Sequence, residues 1–411
     1  MSPDPASQGE VQSRPEGNSG HRQVGFLTYD LQPFTVDCLA RIAERLPESL
    51  KAYPVFGRIP DEPIPFPYRP SHLSGRFFSV RKPGSTQEGF TSSINWRAAW
   101  DLVWQSDIVV LFGIQGGSAL VATLLATLLR RPLISVNQTL PPLWEGKRRW
   151  WIRLLKGWIL NRCRIHIVQT PVSGEALQQV YQIDPALHVQ APFEGGARHF
   201  GQLIEKVDRT RHEIRHSYGW FSDECIFLFV GALLRFKGIP ILMAAAQQLK
   251  ERHGDAFTIV CIGPEPAQAG EPTLVEYRQQ AQEMGVIHRI IFPGPASLES
   301  LAEAYLGADV CILPTQKDTW GKVLVEGALA GLPLITTEAC GAAGSIVLEG
   351  ETGYVVPPGE VAPLVAAMEK LMDGDRRLKM GTRARERCLE FSDPHKEALG
   401  YVEAVARVVA G

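Results

Sequence analysis

Paired cysteines are missing from this chain. Its seven cysteines are scattered, with no CxxC and no Cys/His spacing that suits a metal. With no secretory segment before them, they read as reduced thiols of a cytosolic protein. An excess of charge of one sign is missing too. The formal net charge of -2 leaves neither a basic footprint for nucleic acid nor an acidic tail. Long apolar runs are absent, and the longest, 119–129, is too short to span a bilayer. The first 22 residues are polar and rich in Pro, Gly and Ser, without the apolar stretch of a signal peptide. They read as a disordered tail. Finally, no GxGxxG follows a strand with an acid about 20 residues on, which argues against a nicotinamide-dependent dehydrogenase.

What is present is alternation. At 411 residues the chain exceeds one core and fits two domains. Segments 24–29 (VGFLTY), 106–112 (SDIVVLF), 133–136 and 163–170 read as buried strands, and 36–46 and 119–129 as helices between them. A second series begins at 225–230 (CIFLFV) and continues through 257–263, 289–294 and 309–314, with helices at 241–249, 273–284 and 298–306. Strand, loop and helix in repetition predict α/β domains with parallel sheets. The expected division is a tail over 1–22, a first domain over 23–200, a second over 201–391, and a C-terminal helix, 392–411, packed back across the junction. Residues 53–83, dense in proline and basic residues, show no period and read as irregular.

In open α/β sheets, ligands bind where loops leave the C-terminal ends of strands. Three such loops carry chemistry. In 231–238 (GALLRFKG), Gly231 ends a strand, and Arg235 and Lys237 stand just before a helix, a place that suits a diphosphate by charge and by helix dipole. A solvated surface loop accounts for the same residues. In 318–331 (DTWGKVLVEGALAG), Asp318 in the loop and Glu326 on the following helix lie eight residues apart. Along a helix that spacing covers about 12 Å. Gly263 and Gly294, at two further strand ends, are candidate walls for a nucleobase, and the small residues of 339–345 (ACGAAGS) permit close backbone approach. Gly116 and Gly117 before the helix at 119 serve either an acceptor or a tight turn. Segment 147–164 (KRRWWIRLLKGWILNRCR) interleaves cations with tryptophan and has no acid. Such a helix suits an anionic membrane surface, and equally a domain helix with its apolar side inward. His166 reads as a core histidine. Asp373-Gly374-Asp375 has the DxD pattern of a metal site but falls in a turn between helices, so no metal is expected.

Together, GALLRFKG, LPTQKDTWGKVLVEGALAGLPLITT, ACGAAGSIV and GETGYVVPP, in that order, resemble the retaining family-4 glycosyltransferases, a group 1 family with the GT-B fold. The resemblance implies two Rossmann-like doubly wound domains facing a central cleft, the first on the acceptor side and the second binding a nucleotide sugar. It implies that Glu326 binds the donor ribose, that Asp318 contacts hydroxyls of the transferred sugar, and that Arg235 and Lys237 neutralise the leaving diphosphate. Gly231, Gly263, Gly294, Thr319, Trp320, Gly321, Lys322 and Val323 are implied as further donor-binding positions. Also implied are retention at the anomeric carbon, no metal and no cofactor beyond the nucleoside diphosphate sugar as donor substrate. The expected acceptor is a glycan, lipid-linked or small-molecule hydroxyl. The setting is surface polysaccharide or glycolipid synthesis, in the cytoplasm or peripherally at the inner face of the membrane. Three positions depart from the family. Asp318 stands where Glu is commoner, Ala232 where many relatives carry the arginine, and Asn137 where many carry a histidine. A sugar-nucleotide epimerase of the same fold, and a non-catalytic nucleotide-sugar-binding subunit, are the competing readings.

Overall fold

A computed structural model describes residues 22–28, 33–56, 76–77, 96–114, 117–138, 150–220, 224–266 and 270–411. The expectations for the tail before residue 22, most of 57–95, Gly116 and 147–149 lie outside the described residues. Contacts divide the chain into two compact units. One holds 1–136, 155–166 and 402–411, and the other 137–154 and 167–401.

The first strands follow from short β-branched and aromatic runs. They are β1 (Arg22–Thr28), β2 (Leu50–Phe56), β3 (Arg76–Phe77), β4 (Ile108–Phe112), β5 (Leu133–Asn137), β6 (Cys163–Val168) and β7 (His188–Gln190). They form one sheet in the order β3-β2-β1-β4-β5-β6-β7, parallel from β3 through β5. Helices α1 (Pro33–Arg45), α2 (Trp96–Gln105), α3 (Gly117–Leu128), α4 (Trp150–Leu160) and α5 (Pro171–Tyr181) come between them. Two of these elements correct the sequence reading. Residues 53–56 and 76–77, read as irregular, are strands: β2 lies between β1 and the edge strand β3, and β3 pairs with it only at Val55 and Phe56, so Pro54 falls outside that ladder. His166 is buried in β6 and lies 2.8 Å from the Ser135 hydroxyl.

Helices α6 (Ala197–Glu205) and α7 (Arg211–Tyr218) lead into the second series. Its strands are β8 (Cys225–Val230), β9 (Phe257–Ile262), β10 (Ile290–Gly294), β11 (Val310–Leu313), β12 (Leu334–Thr337) and β13 (Gly353–Val356). All pair in parallel, in the order β10-β9-β8-β11-β12-β13. β8, β9, β11 and β12 are buried along their whole length, as expected of strands covered on both faces. The helices of this series are α8 (Ile239–His253), α9 (Leu274–Glu283), α10 (Leu298–Gly307), α11 (Lys322–Leu329), α12 (Val361–Lys370) and α13 (Gly374–Phe391), and α14 (Pro394–Ala410) follows them. Between β8 and β11 the strand order reverses direction, which is the switch point where such sheets open a ligand crevice.

Candidate functional site

The two loops at that switch point are bonded to each other. Gly238, at φ +97°, starts α8, and a Cβ there would lie 2.2 Å from the Pro314 carbonyl oxygen, so only glycine lets the loops touch. The Gln316 N–H donates to the Phe236 carbonyl at 2.6 Å, and the Thr315 hydroxyl donates to the same oxygen at 3.1 Å. This contact carries Lys237 to Asp318, with Nζ 2.5 Å from Oδ2. The other carboxylate oxygen, Oδ1, accepts the backbone N–H groups of Trp320 (3.1 Å) and Gly321 (2.8 Å). A carboxylate offers about four lone-pair sites, and three are engaged here. Among the described residues the ammonium bonds to Asp318 alone, which leaves two of its three N–H groups for another partner.

A third loop braces the second. The Asp318 N–H donates to Ala339 and its carbonyl accepts from Gly341, each at 3.1 Å. A Cβ on Gly341 would meet the Thr319 carbonyl oxygen at 2.0 Å. Gly341 is thus required here by the chain's own backbone.

Glu326 sits on the buried side of α11, 5 % exposed. Its Oε2 lies 3.0 Å from the Tyr305 hydroxyl on α10, and its Oε1 lies 3.7 Å from Lys322 Nζ, one turn earlier on the same helix. Burial pushes the Glu326 carboxyl above its usual range, while the Lys322 charge and the Tyr305 hydrogen bond pull it back. Trp320 is buried, edge-on to Phe193 and stacked on Phe391, and its indole N–H has no hydrogen-bond partner among the described residues. Thr319 and Lys322 are exposed, Val323 half-buried.

Two groups beside this cluster escaped the sequence reading. Glu194 is buried, and its carboxylate accepts the N–H groups of Gly196 (2.9 Å) and Arg198 (2.6 Å), capping α6. An acid followed by two glycines ahead of a helix was the available signal. Gly196 borders Lys322: a Cβ there would lie 3.7 Å from Nζ. Tyr305 gave no signal, because an aromatic residue on a helix's inner face is ordinary core.

The remaining predicted residues scatter more widely. Arg235 is exposed, its backbone N–H donates to Glu271 at 2.9 Å, and its charge acts on Glu276 and Tyr277 of α9. Gly231, Gly263 and Gly294 close adjoining strands, with the Gly231 N–H donating to Ile262 and the Gly263 N–H to Gly294. Asn137 is buried at the end of β5, where its side-chain amide donates to the Ile167 carbonyl at 3.3 Å. Asp373 caps α13 by accepting the Arg376 N–H at 2.7 Å, which accounts for its place in the DxD pattern. Chemically, the cluster offers a cation at a loop end, the positive end of a helix, and two carboxylates. That set suits an anionic ligand bearing hydroxyl groups.

The profile of the family described as glycosyl transferases group 1 matches residues 210–387. A D-inositol 3-phosphate glycosyltransferase of Corynebacterium diphtheriae is 29% identical over 244 residues, covering 58% of this chain and 55% of that protein. The namesake of Corynebacterium efficiens is 32% identical over 188 residues, 45% of this chain and 43% of its own. The chain thus spans about half the length of the curated relatives it matches. Among solved structures, Anabaena HepE in complex with UDP superposes with a TM-score of 0.71 at 16% identity, over 94% of this chain and 100% of that one. Sucrose-phosphate synthase from Thermosynechococcus elongatus gives 0.69 at 18%, over 95% and 100%. These likenesses are of fold, the two Rossmann-like α/β sheets of the GT-B type.

Proposed function

Taking as premise that this chain belongs, through residues 210–387, to the group 1 glycosyl transferases, we propose that it moves one sugar from a nucleoside diphosphate sugar to an acceptor hydroxyl. The observation that carries this reading is the Lys237–Asp318 contact of 2.5 Å at the sheet's switch point, with buried Glu326 on the next helix. Lys237, aided by Arg235, neutralises the departing diphosphate, the main electrostatic contribution to such a reaction. Glu326 accepts hydroxyls of the donor ribose, and the free lone pair of Asp318 faces the transferred sugar. Gly231, Gly263 and Gly294 line the base, and the backbone of 319–323 meets the phosphates and sugar. Neither carboxylate transfers a proton. Transfer retains the anomeric configuration without a metal, with the leaving phosphate deprotonating the acceptor.

A thermal-shift screen of UDP-, GDP-, ADP- and TDP-sugars tests the donor site. A ligand at 100 times its dissociation constant stabilises by ~2.7 kcal/mol, and no shift with any of the four would sink the assignment. Acceptors to assay with the donor so found are glycan, lipid-linked and small-molecule hydroxyls. The relatives' name adds D-inositol 3-phosphate to that panel.

For the setting, we read α4 as a peripheral membrane contact at the inner face. In support, Trp151 and Leu154 are 42% and 63% exposed between cations. Trp96, Trp100 and Trp104 on α2 are also exposed, at helical spacing. Sedimentation with anionic liposomes, lost on charge reversal at Arg148, Arg149 and Arg153, is the expected result; no sedimentation would exclude the contact.

A further inference from the structure

Tyr305 is fully buried, and its single phenolic hydrogen has two acceptors within reach, Glu326 Oε2 at 3.0 Å and the Val323 carbonyl at 3.1 Å. One hydrogen cannot serve both at full strength. When Glu326 is ionised, the phenol donates to the carboxylate. When Glu326 carries a proton, the carboxyl donates to the phenol oxygen, and the phenol turns to Val323. Either way Oε2 is held on the inner side of α11, and Oε1, the oxygen nearer Lys322 Nζ, is the one left for a ligand. A buried carboxylate without such a partner would be costly.

We propose that Tyr305 is a positioning residue of the donor site, its hydroxyl fixing Glu326 so that Oε1 meets the ribose hydroxyls of the donor. This rests on the reading of Glu326 as a donor ligand. The surroundings leave the task to Tyr305. On α11 itself the charged neighbour is Lys322. β11 presents the thiol of Cys311, which feels the Glu326 charge and is itself raised by burial. α13 reaches α11 through Cys388, whose thiol donates to the Val325 carbonyl, and α6 borders Lys322 with Gly196.

The test compares full-length wild type, Tyr305→Phe, Glu326→Ala and the double variant. Calorimetry with UDP, GDP, ADP and TDP identifies the nucleotide that binds the wild type, and the sugar nucleotide of that base is then used for kinetics. Tyr305→Phe is expected to weaken nucleotide binding about tenfold, the worth of one hydrogen bond to a charged group, and to raise the donor KM with kcat within about twofold. Because the Tyr305 hydrogen bond favours the ionised form of Glu326, its loss moves the acid limb of the affinity profile to higher pH. A general packing defect would not move that limb. Adding Tyr305→Phe to Glu326→Ala should cost nothing more. Unchanged binding and pH profile in Tyr305→Phe would overturn the proposal, as would a further loss in the double variant relative to Glu326→Ala. Melting curves of all four proteins, with binding measured below the lowest transition, keep a folding defect of Tyr305→Phe from passing for either result. If instead Glu326→Ala binds the nucleotide as wild type does, Glu326 is not a donor ligand and the underlying reading fails first.

Discussion

At Lys237 a contact and a proposal meet: the ammonium joins two loops through Asp318, and we assign it to the diphosphate. Lys237→Ala should lower kcat by about 10²–10³, the scale for loss of one preorganised electrostatic contact, and turnover with the donor found by thermal shift measures it. Glu326 makes a different prediction, about stability. Burial raises its carboxyl above 4.5 in the folded chain. Below that value both states are protonated and nothing is lost. As pH rises through the folded value, the native state holds the proton that the unfolded state has released, so stability falls with pH. Glu326→Gln lacks that penalty. Its melting temperature should therefore exceed that of wild type by a margin that widens as pH rises above 4.5; a constant margin would contradict the argument. At this scale the sequence was legible where charge sits in a loop between a strand and a helix, as at Lys237 and Asp318. It was mute at Tyr305 and Glu194, whose roles arise from partners 21 residues ahead and from the cap they complete.

Elements read well where the period was clean. β8 and β9 fall within a residue of expectation because apolar runs, broken only by Thr258 in β9, suit strands covered on both faces. α2 went unread: its three tryptophans and surrounding polar residues follow a proline-rich stretch, and the helix shows only once its alanines and Leu102 are seen buried. The attachment of α7 to the second sheet was equally hidden, because its ion pairs converge on one acid. Asp309, just ahead of β11, accepts from Arg215 and, at 2.5 Å, from Arg211 of α7; it lies 3.4 Å from Arg377 of α13 and also takes the Ile226 N–H of β8 at 2.8 Å. Arg215 and Asp309 are both buried. Removing one partner of a buried pair strands the other charge, so Asp309→Ala should cost about 3–5 kcal/mol in urea unfolding. Asp309→Asn, which keeps the acceptor for Ile226, should cost less.

For the whole molecule, the two compact units do not follow the chain as two consecutive pieces. Residues 402–411 belong with the first unit although every residue assigned to the donor lies in the second. There Ala404, Val405 and Val408 are buried, and Val408 and Val409 share a cleft with Arg22, Asp107, Ile108 and Pro132. By sequence alone the last helix, 392–411, is expected to pack back across the junction, with no fixed home for its end. The contacts give it one, and that assignment can be tested by separating stability from binding. A chain ending at Tyr401 loses two buried valines, worth about 1.5–3 kcal/mol each. Its melting temperature should drop accordingly. Nucleoside diphosphate affinity, measured below that lowered transition, should stay within about twofold of wild type, since Lys237, Asp318, Glu326 and Tyr305 keep all the contacts described for them. Weakened binding with an unchanged melting temperature would place the last ten residues with the donor site instead.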